Sequence, residues 1–174
     1  MREHPYLKLA REAIRTYLET SEIFSLPSPS SQEMELRAGT FVSLKKKREL
    51  RGCIGTYLPT QKNIGEEIIH NAISAATRDP RFPPVTLQEL DDLEISVDVL
   101  GLPAPIKSLS ELDPRRYGII VKHESRRGLL LPDLEGVDTV EQQIDIARKK
   151  AGIGADEPIE IRKFEVVRYK QRPR

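Results

Sequence analysis

The sequence has 174 residues, of which 38% are hydrophobic and 32% charged, a balance typical of a globular protein rather than a disordered chain. Lys and Arg number 28 against 27 Asp and Glu, so the net charge is +1 and nothing global directs the chain toward nucleic acid or an anionic membrane. The sequence has no run of about 18 apolar residues, which predicts that no helix spans a membrane.

The first part of the chain predicts a helix, a loop and a β-hairpin. Apolar residues recur at helical spacing over residues 5–20. The Ser- and Pro-rich stretch 25–31 has no periodicity and is typical of a loop. Strand patterns cover residues 38–44 and 50–58, and the polar segment 45–49 between them is predicted to be the hairpin turn.

A second helix and a strand follow the hairpin. Helical spacing extends over residues 63–77, where Asn63 and Glu66 stand three residues apart as in an N-terminal cap. Asp79-Pro80 ends this helix, because the residue before a proline disfavours helical dihedral angles. Residues 93–100 alternate between apolar and polar side chains, which predicts a strand.

The last third of the chain predicts another hairpin, a third helix and a long final strand. The hairpin strands cover residues 119–122 and 128–131, the helix 139–151 and the strand 158–169, and no internal repeat is visible. Helices separated by hairpins, without regular βαβ alternation, predict an α+β fold with a largely antiparallel sheet flanked by helices. We expect one domain over residues 1–174, with a smaller second lobe in the same unit as the alternative arrangement.

The second strand of the first hairpin carries two glycines and Cys53. Glycine inside a strand weakens it and often marks a bulge or a close approach to the backbone, so Gly52 and Gly55 predict room for a substrate. Strand alternation puts Arg51 on the same face as Cys53, where the guanidinium would favour a nucleophilic or group-carrying thiolate. The alternative is that Cys53 is a small buried apolar residue, as free cysteines often are.

Cys53 is also the only cysteine, so no internal disulfide can form, as is usual in a reducing cytosol. Residues 1–5 lack the apolar stretch of a signal peptide. Both features predict a cytoplasmic protein.

A cysteine nucleophile normally needs a base, and the sequence offers three histidines. His4 is near the terminus, and His123 lies in a charged turn where it is expected to be solvated. His70 lies on the second helix and is the one candidate for a dyad with Cys53, although a helix-surface histidine is the commoner case.

Metal ions and phosphate cofactors are not predicted. The cysteine and histidines have no metal-ligand spacing, and the glycines do not open a helix as phosphate-binding loops do. Four acidic residues, Glu66, Glu67, Asp91 and Asp92, are expected to be solvated, and a metal site formed by their carboxylates stays open as the alternative.

Asp79-Pro80-Arg81-Phe82 is the second candidate site. Asp79 and Arg81 stand on either side of a rigid proline, so Asp79 can cap local backbone and Arg81 can pair with a carboxylate such as Glu94. That pairing would clamp the helix end to the sheet. In the functional alternative, Arg81 binds an anionic substrate group beside Cys53.

The segment Lys45-Lys46-Lys47-Arg48 is a basic run at the tip of the first hairpin. It is able to contact phosphates, but no aromatic stacking platform accompanies it, and charged hairpin tips are usually just solvated. Nucleic-acid binding is therefore the minor alternative.

Several stretches match the pattern of a known family. They are Phe41-Val42-Ser43-Leu44 with Leu50-Arg51-Gly52-Cys53-Ile54-Gly55-Thr56, Asn71-Ala72-Ile73-Ser74-Ala75-Ala76 with Asp79-Pro80-Arg81-Phe82, Leu93-Glu94-Ile95-Ser96-Val97-Asp98-Val99-Leu100, and Gly128-Leu129-Leu130-Leu131-Pro132. On these motifs the chain resembles the AMMECR-one domain family, also called AmmeMemoRadiSam system protein A. The resemblance covers nearly the whole chain, and Arg-Gly-Cys-Ile-Gly is its most specific motif.

The resemblance implies a two-lobed α+β fold, in a family whose biochemical activity is not established. It also implies two partners in a shared modification pathway: a Memo-like protein, similar to class III extradiol dioxygenases, and a radical S-adenosylmethionine protein. The residue spacing predicts no cofactor held by this chain.

Three functions stay open on the sequence. The first is an enzyme or enzyme subunit acting through a pocket lined by Arg51, Cys53 and Arg81. The second is a non-catalytic module that binds a ligand or presents it to the two partners. The third is a regulator that binds nucleic acid through the basic hairpin. We favour the first two jointly, as a ligand-binding domain centred on Cys53 with Asp79 and Phe82 beside it.

Overall fold

The computed structural model describes residues 2–28 and 30–171, so Met1 and Pro29, which belong to the predicted N-terminal segment and loop, lie outside the described residues. The helices and strands in chain order are α1 (Pro5–Thr20), α2 (Gln32–Glu35), β1 (Thr40–Lys46), β2 (Glu49–Gly55), α3 (Ile64–Thr77), β3 (Leu93–Leu100), β4 (Ala104–Pro105), β5 (Gly118–His123), β6 (Arg126–Leu130), α4 (Val140–Ala151), β7 (Glu160–Phe164) and β8 (Val166–Lys170). Short 3₁₀ turns cover Leu90–Asp92 and Leu109–Glu111. The predicted α+β class with antiparallel sheets is confirmed.

The first of two structural units contains the residues up to Leu100 and those from Val167 onward. Its four-stranded sheet has the order β2-β1-β3-β8. Helices α1 and α3 pack together and supply most of the core on one sheet face, where Val42, Leu44 and Ile95 meet them.

Local signals set the ends of these helices. Asn63 Oδ1 accepts a hydrogen bond from the Glu66 backbone N–H at 2.8 Å, so the predicted N-terminal cap of α3 is confirmed. The helix ends at Thr77, two residues before Asp79-Pro80, as the proline requires. The hairpin turn is shorter than predicted, because Lys46 still pairs with Glu49.

The second unit contains residues 101–166 and has the sheet order β4-β7-β5-β6, with α4 packed on β5 and β6. Thr139 and Gln142 form the predicted capping box of α4, and Gly152 ends that helix in the left-handed conformation with φ 67°.

The prediction of one final strand over residues 158–169 is wrong. The strand breaks at Glu165, and its halves β7 and β8 belong to different sheets. Alternating apolar residues continue across the break, so the sequence pattern does not reveal that the pairing partner changes.

The two units share a topology that the sequence does not show. In the first, the hairpin β1–β2 is followed by α3, and β3 then pairs with β1. In the second, the hairpin β5–β6 is followed by α4, and β7 then pairs with β5. Each unit therefore contains the same hairpin–helix–strand motif, with the first hairpin strand in the middle.

Candidate functional site

Strand β2 presents different residues to its two faces. An alanine Cβ at Gly52 would lie 2.2 Å from the Ala75 carbonyl O, so this glycine lies directly against α3. Because side chains alternate along a strand, Cys53 points to the opposite face. There its Sγ lies 3.2 Å from Ser43 Oγ on the paired strand, and the cysteine is half-buried.

The two glycines serve internal packing, which corrects the expectation that they leave room for a substrate. The open side of Gly52 is filled by the backbone of α3. A Cβ at Gly55 would meet the ring of Phe41 at 2.2 Å, so that aromatic ring lies over the second glycine. Neither glycine therefore leaves open space through which a substrate could reach the strand backbone.

The second hairpin is an internal comparison for the first. An alanine Cβ at Gly128 in β6 would lie 2.1 Å from the Ala147 carbonyl O of α4, the same arrangement as Gly52 against Ala75. The residue after the glycine is Leu129 in this hairpin and Cys53 in the other. The shared motif therefore requires the glycine but not the cysteine.

Asp79 and Arg81 meet β2 at Cys53. The Cys53 backbone N–H donates to Asp79 Oδ2 at 3.0 Å, and Arg81 Nη2 approaches the Cys53 carbonyl O at 3.5 Å. Strand β2 is the edge of its sheet, so these two side chains occupy the place that a neighbouring strand would take.

A tight ion pair holds this arrangement. Arg81 donates through Nε to Asp79 Oδ1 at 3.0 Å and through Nη2 to Oδ2 at 2.8 Å, while its backbone N–H donates to Oδ1 at 3.1 Å. The predicted partner Glu94 is therefore wrong, because Asp79 is two residues away and already aligned for a bidentate pair.

The ionisation of the pair follows from these bonds. Hydrogen bonds from the Arg81 side chain, and then from the backbone N–H groups of Cys53 and Arg81, hold the pKa of Asp79 far below its usual value. The same carboxylate raises the pKa of Arg81. Asp79 is 3% exposed and Arg81 is 55% exposed, so the carboxylate is internal and the guanidinium faces outward.

Arg51 has a different role from the one predicted. Its Nε and Nη2 donate to the Glu89 carboxylate at 3.1 and 3.2 Å, and Nη1 donates to the Pro83 carbonyl O at 2.8 Å. The Arg51 side chain, and then the Thr86 backbone N–H, lower the pKa of Glu89 to about 2. Arg51 therefore clamps the segment after α3 to the edge of β2.

Phe82 completes the outer side of this region. The Arg81 guanidinium carbon lies 5.4 Å from the Phe82 ring centroid, and the ring is half-buried. We call the surface formed by Ser43, Cys53, Arg81 and Phe82 the Cys53 face. It combines a hydroxyl, a thiol, a cation and an aromatic ring, and the buried Asp79 carboxylate holds the Arg81 guanidinium in place.

The geometry argues against a Cys53–His70 dyad. His70 lies on α3, which packs on the sheet face of Gly52, whereas Cys53 points to the other face. His123 is not solvated as predicted, since its Nδ1 lies 2.6 Å from the Pro158 carbonyl O and its side chain is 18% exposed. His4 caps α1, where its Nδ1 accepts from the Tyr6 backbone N–H at 3.2 Å.

The expectation that Glu66 and Glu67 are solvated is wrong, because both are buried at the start of α3. Glu67 is 1% exposed and accepts hydrogen bonds from Thr56 Oγ1 at 2.6 Å, from the Thr60 backbone N–H at 3.0 Å and from the Gln61 backbone N–H at 2.6 Å. It therefore anchors the loop that leaves β2.

Asn71 extends the same internal network. Its Nδ2 donates to Thr40 Oγ1 at 2.9 Å and to Thr56 Oγ1 at 3.1 Å. The sequence does carry a signal for this network: Glu67 and Asn71 lie three and seven residues after Ile64, on the apolar stripe of the helix. Polar residues on such a stripe indicate buried hydrogen bonds, which the expectation of solvated acids does not include.

Within residues 2–28 and 30–171, no three His, Cys, Asp or Glu side chains are gathered as a metal ion would require. Over the same residues, no helix combines the length and the apolar character needed to cross a membrane.

Comparison with known proteins agrees with the motif assignment. The AMMECR1 family model matches residues 7–172. A protein of Thermotoga maritima is 53% identical over 171 residues, 97% of this chain and 98% of that protein. A protein of Clostridium acetobutylicum is 53% identical over 169 residues, which are 96% of this chain but 36% of the longer relative. The crystal structure of the uncharacterized protein PH0010 from Pyrococcus horikoshii matches with a TM-score of 0.87 and 34% identity, over 94% of this chain and 88% of that one.

Proposed function

Because this chain belongs to the AMMECR1 family, we propose that it is a ligand-binding component of a modification pathway, acting beside a Memo-like protein and a radical S-adenosylmethionine protein. The binding surface is the Cys53 face. A cytoplasmic location belongs to the same proposal and rests on the single, reduced cysteine.

The comparison of the two hairpins carries this proposal. The shared hairpin–helix–strand motif accounts for Gly52, which has its counterpart in Gly128. It does not account for Cys53, whose counterpart is Leu129. A half-buried thiol on a strand whose edge is fixed by Asp79 and Arg81 is a rigid, pre-organised contact point, and pre-organisation favours recognition.

Binding is favoured over nucleophilic catalysis by the surroundings of the thiol. Its neighbour across the hairpin is the Ser43 hydroxyl, which is not a base at neutral pH. Arg51, the cation expected to favour the thiolate, is held by Glu89, and the cation beside the thiol, Arg81, is paired with Asp79. The longer Clostridium acetobutylicum relative, of which the match covers 36%, also supports a domain that works with another one.

Replacing Cys53 with alanine is expected to weaken co-purification with the Memo-like partner by about fivefold, the effect of losing one contact near the centre of an interface. The fold should be retained, because the thiol is half-buried and alanine fills most of its volume. Affinity capture with purified partners, followed by titration calorimetry, measures the change.

The matched control is Leu129→Ala, which alters the equivalent position of the second hairpin and should leave the affinity unchanged. If Cys53→Ala retains full complex formation and full output of the pathway, the thiol has no role in recognition and the proposed binding surface is wrong.

A further inference from the structure

The tip of the β1–β2 hairpin has an unusual choice of residues. Lys46 pairs with Glu49, so Lys47 and Arg48 alone form the turn. Their φ angles are 51° and 68°, so both adopt the left-handed conformation that a two-residue type I′ turn requires. Asn and Gly suit these positions, whereas long side chains with a Cβ are sterically disfavoured there.

Packing does not explain this choice. The side chains of Lys45, Lys47 and Arg48 are exposed, so they gain nothing from the core. Lys46 differs from them, because its Nζ donates to Glu89 Oε1 at 3.2 Å. When a residue adopts a strained backbone conformation and makes no stabilising contact there, the strain indicates a function at that position.

The composition of the tip indicates the kind of partner. Three exposed cations lie beside Leu50, a leucine that is 39% exposed. A mixed cationic and apolar patch suits an acidic polypeptide that carries both carboxylates and aliphatic side chains. A nucleic acid is less suited, because the tip residues 45–50 include no aromatic ring for stacking and Glu49 is itself exposed among them.

We propose that the hairpin tip formed by Lys45, Lys47, Arg48 and Leu50 docks an acidic segment of a partner protein. The cations contact carboxylates and Leu50 contacts the neighbouring aliphatic groups. This surface shares no residue with the Cys53 face, and its role does not depend on the function proposed for that face.

The test measures binding of a fluorescein-labelled decaglutamate peptide by anisotropy at 50 mM and 300 mM NaCl. The wild type should bind the peptide at low salt and lose affinity at high salt, as exposed charge contacts do. Lys47→Asn combined with Arg48→Gly should weaken binding by about tenfold, since two charge contacts are lost. The same variant should raise the Tm by about 4 °C, because the turn then holds residues suited to it.

A second variant separates charge from strain. Lys47→Gln with Arg48→Gln should weaken peptide binding equally while leaving the Tm unchanged. Lys8→Gln with Lys62→Gln removes two other exposed cations of the same unit and should leave binding unchanged. The proposal is overturned if the wild type does not bind the peptide at 50 mM NaCl, if the tip variants bind as the wild type does, or if a 20-nucleotide single-stranded DNA binds more tightly than the peptide.

Discussion

Replacing Gly52 with alanine is expected to destabilise the protein by about 3 kcal/mol or more, the upper range for forcing volume into a packed interior. The new Cβ would lie 2.2 Å from the Ala75 carbonyl O, a backbone atom in the last turn of α3 that has no rotamer by which to move away. The helix itself must shift from the sheet. Urea unfolding followed by far-UV circular dichroism measures the loss.

The other glycines supply graded controls for this prediction. Gly128→Ala should cost a similar amount, since its Cβ would lie 2.1 Å from the Ala147 carbonyl O. Gly55→Ala should cost less, because the obstacle is the Phe41 side chain. At Gly154 the nearest atom is 3.5 Å away, so alanine there should change stability by less than about 0.5 kcal/mol. Equal stability of the Gly52 and Gly154 variants would contradict the close packing described for β2 on α3.

Replacing Asp79 with asparagine is expected to cost about 2–3 kcal/mol at pH 7, because hydrogen bonds to a charged acceptor are lost and the amide presents an N–H group to Arg81. Because Arg81 is 55% exposed, water solvates its guanidinium once the carboxylate is gone. The loss of stability is therefore smaller than for a fully buried ion pair.

The contribution of Asp79 to the free energy of unfolding depends on pH, because the pKa of this carboxyl is lowered in the folded state. A carboxylate whose pKa is lower in the folded than in the unfolded chain stabilises the fold above the unfolded value of about 3.9, and this contribution is lost as the pH falls below about 4. The stability difference between the wild type and Asp79→Asn should therefore shrink between pH 5 and pH 2, as measured by urea unfolding at each pH.

Asp91→Asn is the matched control for Asp79, since Asp91 pairs with Arg15 at 2.7 Å but is 76% exposed. An exposed pair of this kind contributes at most about 1 kcal/mol. If the two variants lose the same amount of stability, Asp79 is not the carboxylate that holds the edge of β2.

Much of the fold is predictable from the sequence because its signals are local. The cap formed by Asn63 and Glu66, the stop at Pro80 and the capping box of Thr139 and Gln142 lie within a few residues of the helix ends they define. The break at Glu165 is not predictable, because both halves of the strand carry the same alternation and only their partners differ.

The sequence predicts which residues form the candidate site, but it does not predict all of their hydrogen-bond and ion-pair partners. Cys53, Asp79 and Arg81 are brought together as the motifs indicated. Arg51 instead turns to Glu89, which is 38 residues away along the chain, and no local pattern encodes that choice. Glu67 lies on the apolar stripe of α3, so the helical periodicity itself indicates that this carboxylate is buried.

The most direct test of the Cys53 face is alkylation of the native protein with iodoacetamide, read by mass spectrometry. Because Cys53 is the only cysteine, a single mass shift reports on this one side chain. The proposal predicts that Cys53 is labelled in the folded protein and that saturation with the Memo-like partner slows labelling by about tenfold or more. A thiol that reacts only after unfolding, or that reacts equally fast with the partner bound, would contradict the assignment of this face as the recognition surface.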